Sequence, residues 1–112
     1  MASIMVSEAD PDVRRLLVVL MERLGHEAVV LDGLEVPPRG DLLLLEPACR
    51  HCIEQARVVR MLFPELPIVC MGVPPADADF LGDGPLRYLE KPFTVDELAR
   101  AVTALLPAAS PV

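Results

Sequence analysis

Four consecutive leucines, Leu42 to Leu45, run between Asp41 and Glu46-Pro47. Successive side chains on a strand point to opposite faces, so an extended segment with no polar alternation has to be covered on both sides. Such a segment belongs in the centre of a parallel sheet that carries helices on each face. Further short apolar runs fit strands of the same kind: Ser3–Ser7, Ala28–Leu31, Pro67–Met71 and Leu86–Glu90.

The intervals between these runs carry helix signals. Asp10-Pro11 offers an N-cap and a proline at the first helical position, and Leu16, Leu17, Leu20, Met21 and Leu24 then recur at helical spacing until Gly25. A second helix is expected from about Cys49 to Phe63, stopped by Pro64. Thr94 caps a last one, with Glu97 at capping-box spacing and Leu98, Ala101, Val102, Leu105 and Leu106 as its apolar face. Two intervals are poor in helix. The connection from Leu34 to Gly40 is short and Pro-rich, and Gly72 to Pro85 holds several prolines and glycines. Alternating strands and helices with short links predict an α/β, doubly wound, five-stranded parallel sheet. Right-handed crossovers then bring all strand carboxyl ends to one edge, the edge where open α/β sheets bind ligands. That edge collects Ser7, Glu8, Ala9, Asp10, Glu46, Gly72 and Lys91, and Lys91 is the sole lysine of the chain.

Bulk properties narrow the function classes. At 112 residues the chain fits one domain, and 53% hydrophobic residues supply a sizeable core. A net charge of -7 argues against direct nucleic-acid binding, which needs clustered Lys and Arg. No apolar run approaches bilayer length, and no basic stretch precedes a long apolar one at the amino terminus, so neither a membrane span nor a signal peptide is expected. Three cysteines, an odd number, suit a reducing cytoplasm better than a disulfide framework.

Ser7-Glu8-Ala9-Asp10-Pro11 after the first strand, Asp41–Glu46, and Tyr88-Leu89-Glu90-Lys91-Pro92-Phe93 leading to Thr94–Leu98 together carry a resemblance. The chain resembles the receiver (CheY-like) domain of bacterial two-component response regulators over nearly its whole length. The resemblance implies the flavodoxin-like strand order 2-1-3-4-5, with the second and fourth helices short or missing here. It implies a receiver-like domain over 1–107 and a frayed tail over 108–112. It also makes Pro92 a candidate for a cis peptide bond. In that family, adjacent acids after the first strand bind magnesium. An Asp ending the third strand accepts a phosphoryl group, a Ser or Thr ending the fourth bonds its oxygens, and the Lys of Lys-Pro neutralises it. Those positions fall on Glu8 and Ala9, Glu46, Gly72 and Lys91.

The departures share one direction. Ala9 removes a carboxylate from a cation that wants octahedral oxygen ligands. Glu46 is one methylene longer than Asp, and phosphoryl transfer depends on positioning. Gly72 has no hydroxyl. The expected function is therefore non-catalytic: a degenerate pseudo-receiver, without cofactor or metal, that binds protein partners independently of phosphorylation. A fixed Glu46–Lys91 pair either stands in for the aspartyl-phosphate charge or merely satisfies two inherited charges. Tyr88 and Glu90 belong to the expected interaction face. The shortened connections at 34–40 and 73–85 are expected to uncover apolar surface, which makes a homodimer plausible.

Cys49-Arg50-His51-Cys52 supports a rival reading, a dithiol redox protein. A Cys-x-x-Cys opening a helix after a strand is the thioredoxin-like position, where the helix terminus and Arg50 or His51 would favour a thiolate. The first and fifth strands with Lys91-Pro92 have no place in that pattern, and three nearby ligands fall short of structural zinc. Inert packing is the commoner fate of such a pair. A third reading keeps a regulator phosphorylated elsewhere, on Asp10 or Asp41, although Asp41 opens its strand far from the pocket. Cys70 is expected in the core, and His26 in a solvated turn.

Overall fold

The computed structural model describes residues 2–33 and 39–106. The strands are β1 (Ser3–Ser7), β2 (Glu27–Val30), β3 (Leu42–Leu45), β4 (Ile68–Cys70) and β5 (Leu86–Tyr88). The helices are α1 (Pro11–Arg23), α2 (Arg50–Leu62) and α3 (Val95–Leu105), with a 3-10 turn at Asp79–Asp83. All strand pairs are parallel, in the order β2-β1-β3-β4-β5. The expected sheet and order are therefore present. The Lys91–Pro92 bond is cis.

The leucine run divides between two cores. Leu42 and Leu44 join Ile4, Val6, Leu17, Met21 and the α3 residues Leu98, Ala101 and Val102 on one face. Leu43 and Leu45 join Met5, Cys70 and the α2 residues Ile53, Ala56 and Val59 on the other. A strand buried on both faces needs apolar residues at every position, and this one has them.

Local signals fix the helix ends. The Asp10 carboxylate accepts the N–H groups of Asp12 at 2.9 Å and Val13 at 3.3 Å, with Pro11 at the first helical position. Gly25 follows with φ 88°, a conformation favouring glycine. Thr94 and Glu97 complete the capping box of α3. The face of α1 is narrower than its sequence suggests. Leu17 and Met21 are buried, but Leu16 is 55% exposed and Leu24 is also exposed. Leu16 precedes Leu17 by one residue, which turns it about 100° around the helix and off the sheet. His26 is not a free turn residue. It is half-buried, and its Nδ1 accepts the Ala2 N–H at 3.2 Å.

No helix lies in the described residues between β2 and β3, and the expected turn at 34–38 falls outside the described residues, as does the tail at 108–112. Between β4 and β5 the helix is reduced to the 3-10 turn. Of the apolar surface expected to be uncovered at 73–85, Val73 is 88% exposed, while the sheet beneath the segment is covered. Ala78 and Leu81 are buried against Ile68, Cys70 and Ile53. Arg60, near the end of α2, secures this arrangement. Its guanidinium donates to the carbonyls of Pro64 (3.1 Å), Leu66 (2.6 Å), Leu81 (3.2 Å) and Pro85 (3.1 Å). Burial draws its pKa below the ordinary arginine value. A charged group that deep is tolerated because its two terminal nitrogens are directed at four backbone oxygens, leaving only its Nε–H without a partner.

Candidate functional site

Parallel strands carry the ends of β1, β3, β4 and β5 to one edge, and the residues anticipated there converge. Glu46 follows β3 and is buried, while Lys91 follows β5. The Lys91 ammonium donates to Glu46 Oε2, and the Ala48 N–H donates to Glu46 Oε1 at 3.0 Å. The two partners are unequally wet: the Lys91 side chain is 50% exposed and that of Glu46 only 11%. Beside them lies a cleft of about 390 Å³ lined by Pro47, Ala48, Met71, Gly72, Val73, Glu90 and the pair itself.

Glu8 follows β1 as Glu46 follows the neighbouring β3, each one residue past the Ser7–Leu45 register pair, and it is buried. Its Oε1 accepts the Asp10 N–H at 3.2 Å, and its Oε2 has no hydrogen-bond partner. Burial raises its pKa above the usual carboxylate value. The Asp10 N–H opposes this, the Glu46 carboxylate adds to it, and Lys91 pulls the other way. Ala9 contributes no oxygen, and Asp10 spends its carboxylate capping α1. Asp41, at the opposite edge, accepts the Ser3 N–H at 2.7 Å. The resemblance implies magnesium at this edge, but the donor set does not fit it. One buried carboxylate oxygen without a partner, Glu8 Oε2, is far from the octahedral oxygen shell that cation demands. Among the described residues, no group of three or more His, Cys, Asp or Glu side chains is placed to hold a metal.

Gly72 does more than lack a hydroxyl. Its φ of 136° lies where side-chain-bearing residues rarely go, and a Cβ there would meet Pro47 Cγ at 3.3 Å. Tyr88 and Glu90 are both exposed, Tyr88 by 55%, and Val73 at the mouth of the cleft by 88%.

The edge also holds a residue that sequence reasoning missed, Gln55, bonded to the anticipated Ser7. Ser7 is fully buried and its hydroxyl donates to Gln55 Oε1, while Gln55 Nε2 donates to the Gly33 carbonyl at 2.8 Å. This chain ties β1, α2 and the end of the β2 connection together. The only sequence signal was a polar residue on the stripe formed by Cys52, Ile53, Ala56 and Val59. The cysteine pair opens α2. Cys49 is the N-cap, half-buried, and its sulfur accepts the Cys52 N–H at 3.2 Å. Burial pushes the Cys52 thiol up to about 12, and the core thiol of Cys70 up to about 11.

No family model matches the sequence, and no curated protein does. Solved structures do match. The chain is 20% identical to the chemotaxis protein CheY4 of Vibrio cholerae, with a TM-score of 0.78, covering 95% of this chain and 99% of that one. It is 21% identical to the receiver domain of the sensor histidine kinase PA1611 of Pseudomonas aeruginosa, a structure with magnesium in its active-site cleft. That match has a TM-score of 0.73 and covers 93% and 96% of the two chains. NtrX of Brucella abortus is 23% identical with a TM-score of 0.75, over 94% of this chain but 26% of that longer one. Strand order and these likenesses agree: the chain has the receiver-domain (CheY-like) fold.

Proposed function

We propose that this chain is a phosphorylation-independent pseudo-receiver, a non-catalytic module that binds protein partners in two-component-type signalling. The observation that carries the reading is the contact of Lys91 with Glu46. In receivers the equivalent lysine neutralises an incoming phosphoryl group; here it already neutralises a carboxylate that reaches one methylene further. The neighbouring positions support the same reading. Ala9 supplies no second carboxylate, and the backbone at Gly72 disfavours any residue carrying a hydroxyl. The pair thus holds permanently the charge arrangement that phosphorylation would create.

The interaction face comprises Tyr88 and Glu90 with the exposed rim of the cleft at Val73. Tyr is favoured at interfaces because it combines apolar area with a polar tip. A net charge of -7 favours a protein over nucleic acid as partner, and a second copy of the chain is one candidate. The reading places the module in the cytoplasm, a compartment that suits a chain with three free cysteines and no structural disulfide among the described residues.

A titration with magnesium and beryllofluoride, followed by amide NMR, tests it. The expected result is no saturable shift at the ends of β3 and β5. A saturable shift centred on Glu46 overturns the proposal. Glu46→Gln separates charge mimicry from inert pairing: capture of native partners weakens if the carboxylate matters, and unchanged capture removes the mimicry.

A further inference from the structure

The cysteine pair at the start of α2 is not used by the proposed interaction role, and its geometry is specific. Cys49, at the N-cap, has extended backbone (φ -91°, ψ 116°) and is partly open to solvent. Its sulfur receives the Cys52 N–H, and the first turn of α2 contains no acidic residue. The carboxylate on the preceding turn, Glu46, is already engaged by Lys91 and Ala48. Cys52, three residues on, is buried, and its thiol faces both Cys49 and the Ser7 hydroxyl. Side chains three apart on a helix are neighbours, with Cβ atoms roughly 5–6 Å apart. A disulfide asks for about 3.5–4.5 Å, so a small tightening at the non-helical N-cap is enough. One sulfur is reachable, solvated by a helix-terminal N–H donor; the other is sheltered beside it. That division of labour suits thiol–disulfide exchange. Cys70, wholly buried in β4 with its sulfur directed at the Gly72 carbonyl, has none of these features.

We propose that Cys49 and Cys52 form a reversible redox couple whose co-reactant is a low-molecular-weight disulfide, with Cys49 attacking and Cys52 resolving. The Cys49 thiolate attacks one sulfur of the small disulfide, breaking its S–S bond. The departing thiolate takes up a proton, and a mixed disulfide remains on Cys49. Cys52 then gives up its proton and attacks the Cys49 sulfur, displacing the second small thiol. Two protein thiols are oxidised to one S–S bond, the small disulfide is reduced to two thiols, and the protons leave on them. Because Cys52 holds its proton tightly, resolution is the slower step and quickens as pH rises. The couple closes on the turn that carries Glu46, yet it does not depend on the pseudo-receiver reading.

The full chain is equilibrated in mixtures of reduced and oxidised glutathione, quenched in acid, alkylated and mapped by mass spectrometry. The expected result is one two-electron transition yielding a Cys49–Cys52 bond with Cys70 free. Cys52→Ser should accumulate glutathione on Cys49 at roughly tenfold or more over the wild type, because the resolving thiol is gone. Cys49→Ser, which keeps an N-cap side chain, should give neither product. A wild type that retains the glutathione adduct without closing the bond overturns the proposal. So does one that reacts no faster than Cys49→Ser. The wild-type arm decides alone should Cys52→Ser fold poorly.

Discussion

At the scale of single residues, unequal burial decides what each half of the central ion pair is worth. Removing Lys91 strands a carboxylate whose side chain is 11% exposed, whereas removing the Glu46 charge leaves an ammonium that is 50% exposed and rehydrates. Lys91→Met should therefore cost about 1–3 kcal/mol, and Glu46→Gln less than about 1 kcal/mol. Urea unfolding of the two variants checks the order, and equal losses would contradict it. Glu8 supplies a pH prediction. Its unfolded carboxyl titrates near 4.5 and its folded carboxyl above that, because burial penalises the charge. The folded state thus holds the proton more tightly. The stability this contributes is complete below pH 4.5 and is lost as pH rises through the folded pKa. Glu8→Gln stays neutral, so its stability relative to the wild type should rise from pH 4 to pH 7, as read from denaturation midpoints. A difference flat with pH would count against burial as the cause.

At the scale of elements, sequence legibility follows the range of the interaction. The helix starts at Asp10 and Thr94 and the stop at Gly25 rest on contacts within a few residues, and each was readable. Strands β1, β3 and β4 were readable because burial on both faces leaves continuous apolar runs, whereas the edge strands β2 and β5, only partly buried, were bounded by the turn residues beside them. The residues at the carboxyl edge followed from strand direction alone. Gln55 and Arg60 were not readable, because their partners lie up to 48 residues away and consist largely of backbone carbonyls, which leave no mark in the sequence. The outer limit of the α1 face was missed for a related reason: helical spacing gives the stripe, but the width of the stripe depends on what packs against it. Arg60 carries the third prediction. Arg60→Met removes the donors to four carbonyls at once and should destabilise by at least about 3 kcal/mol. Proteolysis between β4 and β5 should quicken alongside. A loss below about 1 kcal/mol would show that the carbonyls find water instead.

At the scale of the whole molecule, β3 is the common wall of both cores, so neither can open without it. Amide hydrogens of Leu43 and Leu44 should exchange only through global unfolding. Cys70, wholly buried beside them with its thiol pushed up to about 11, should be alkylated at that same rate in native buffer. Cys49 should be labelled well before it. Labelling of Cys70 faster than exchange at Leu44 would indicate a local opening of β4. The guanidinium clasp has a consequence of another kind. It grips main-chain oxygens, which every residue possesses, so the segment between β4 and β5 can change most of its side chains and still follow the same course. Drift there should be constrained chiefly at Ala78 and Leu81, which plug the core, and at Gly84, where a Cβ would strike the Pro64 carbonyl and the clasp itself. The stretch is thereby one where surface variation is cheap, bordering a pocket whose charges are fixed.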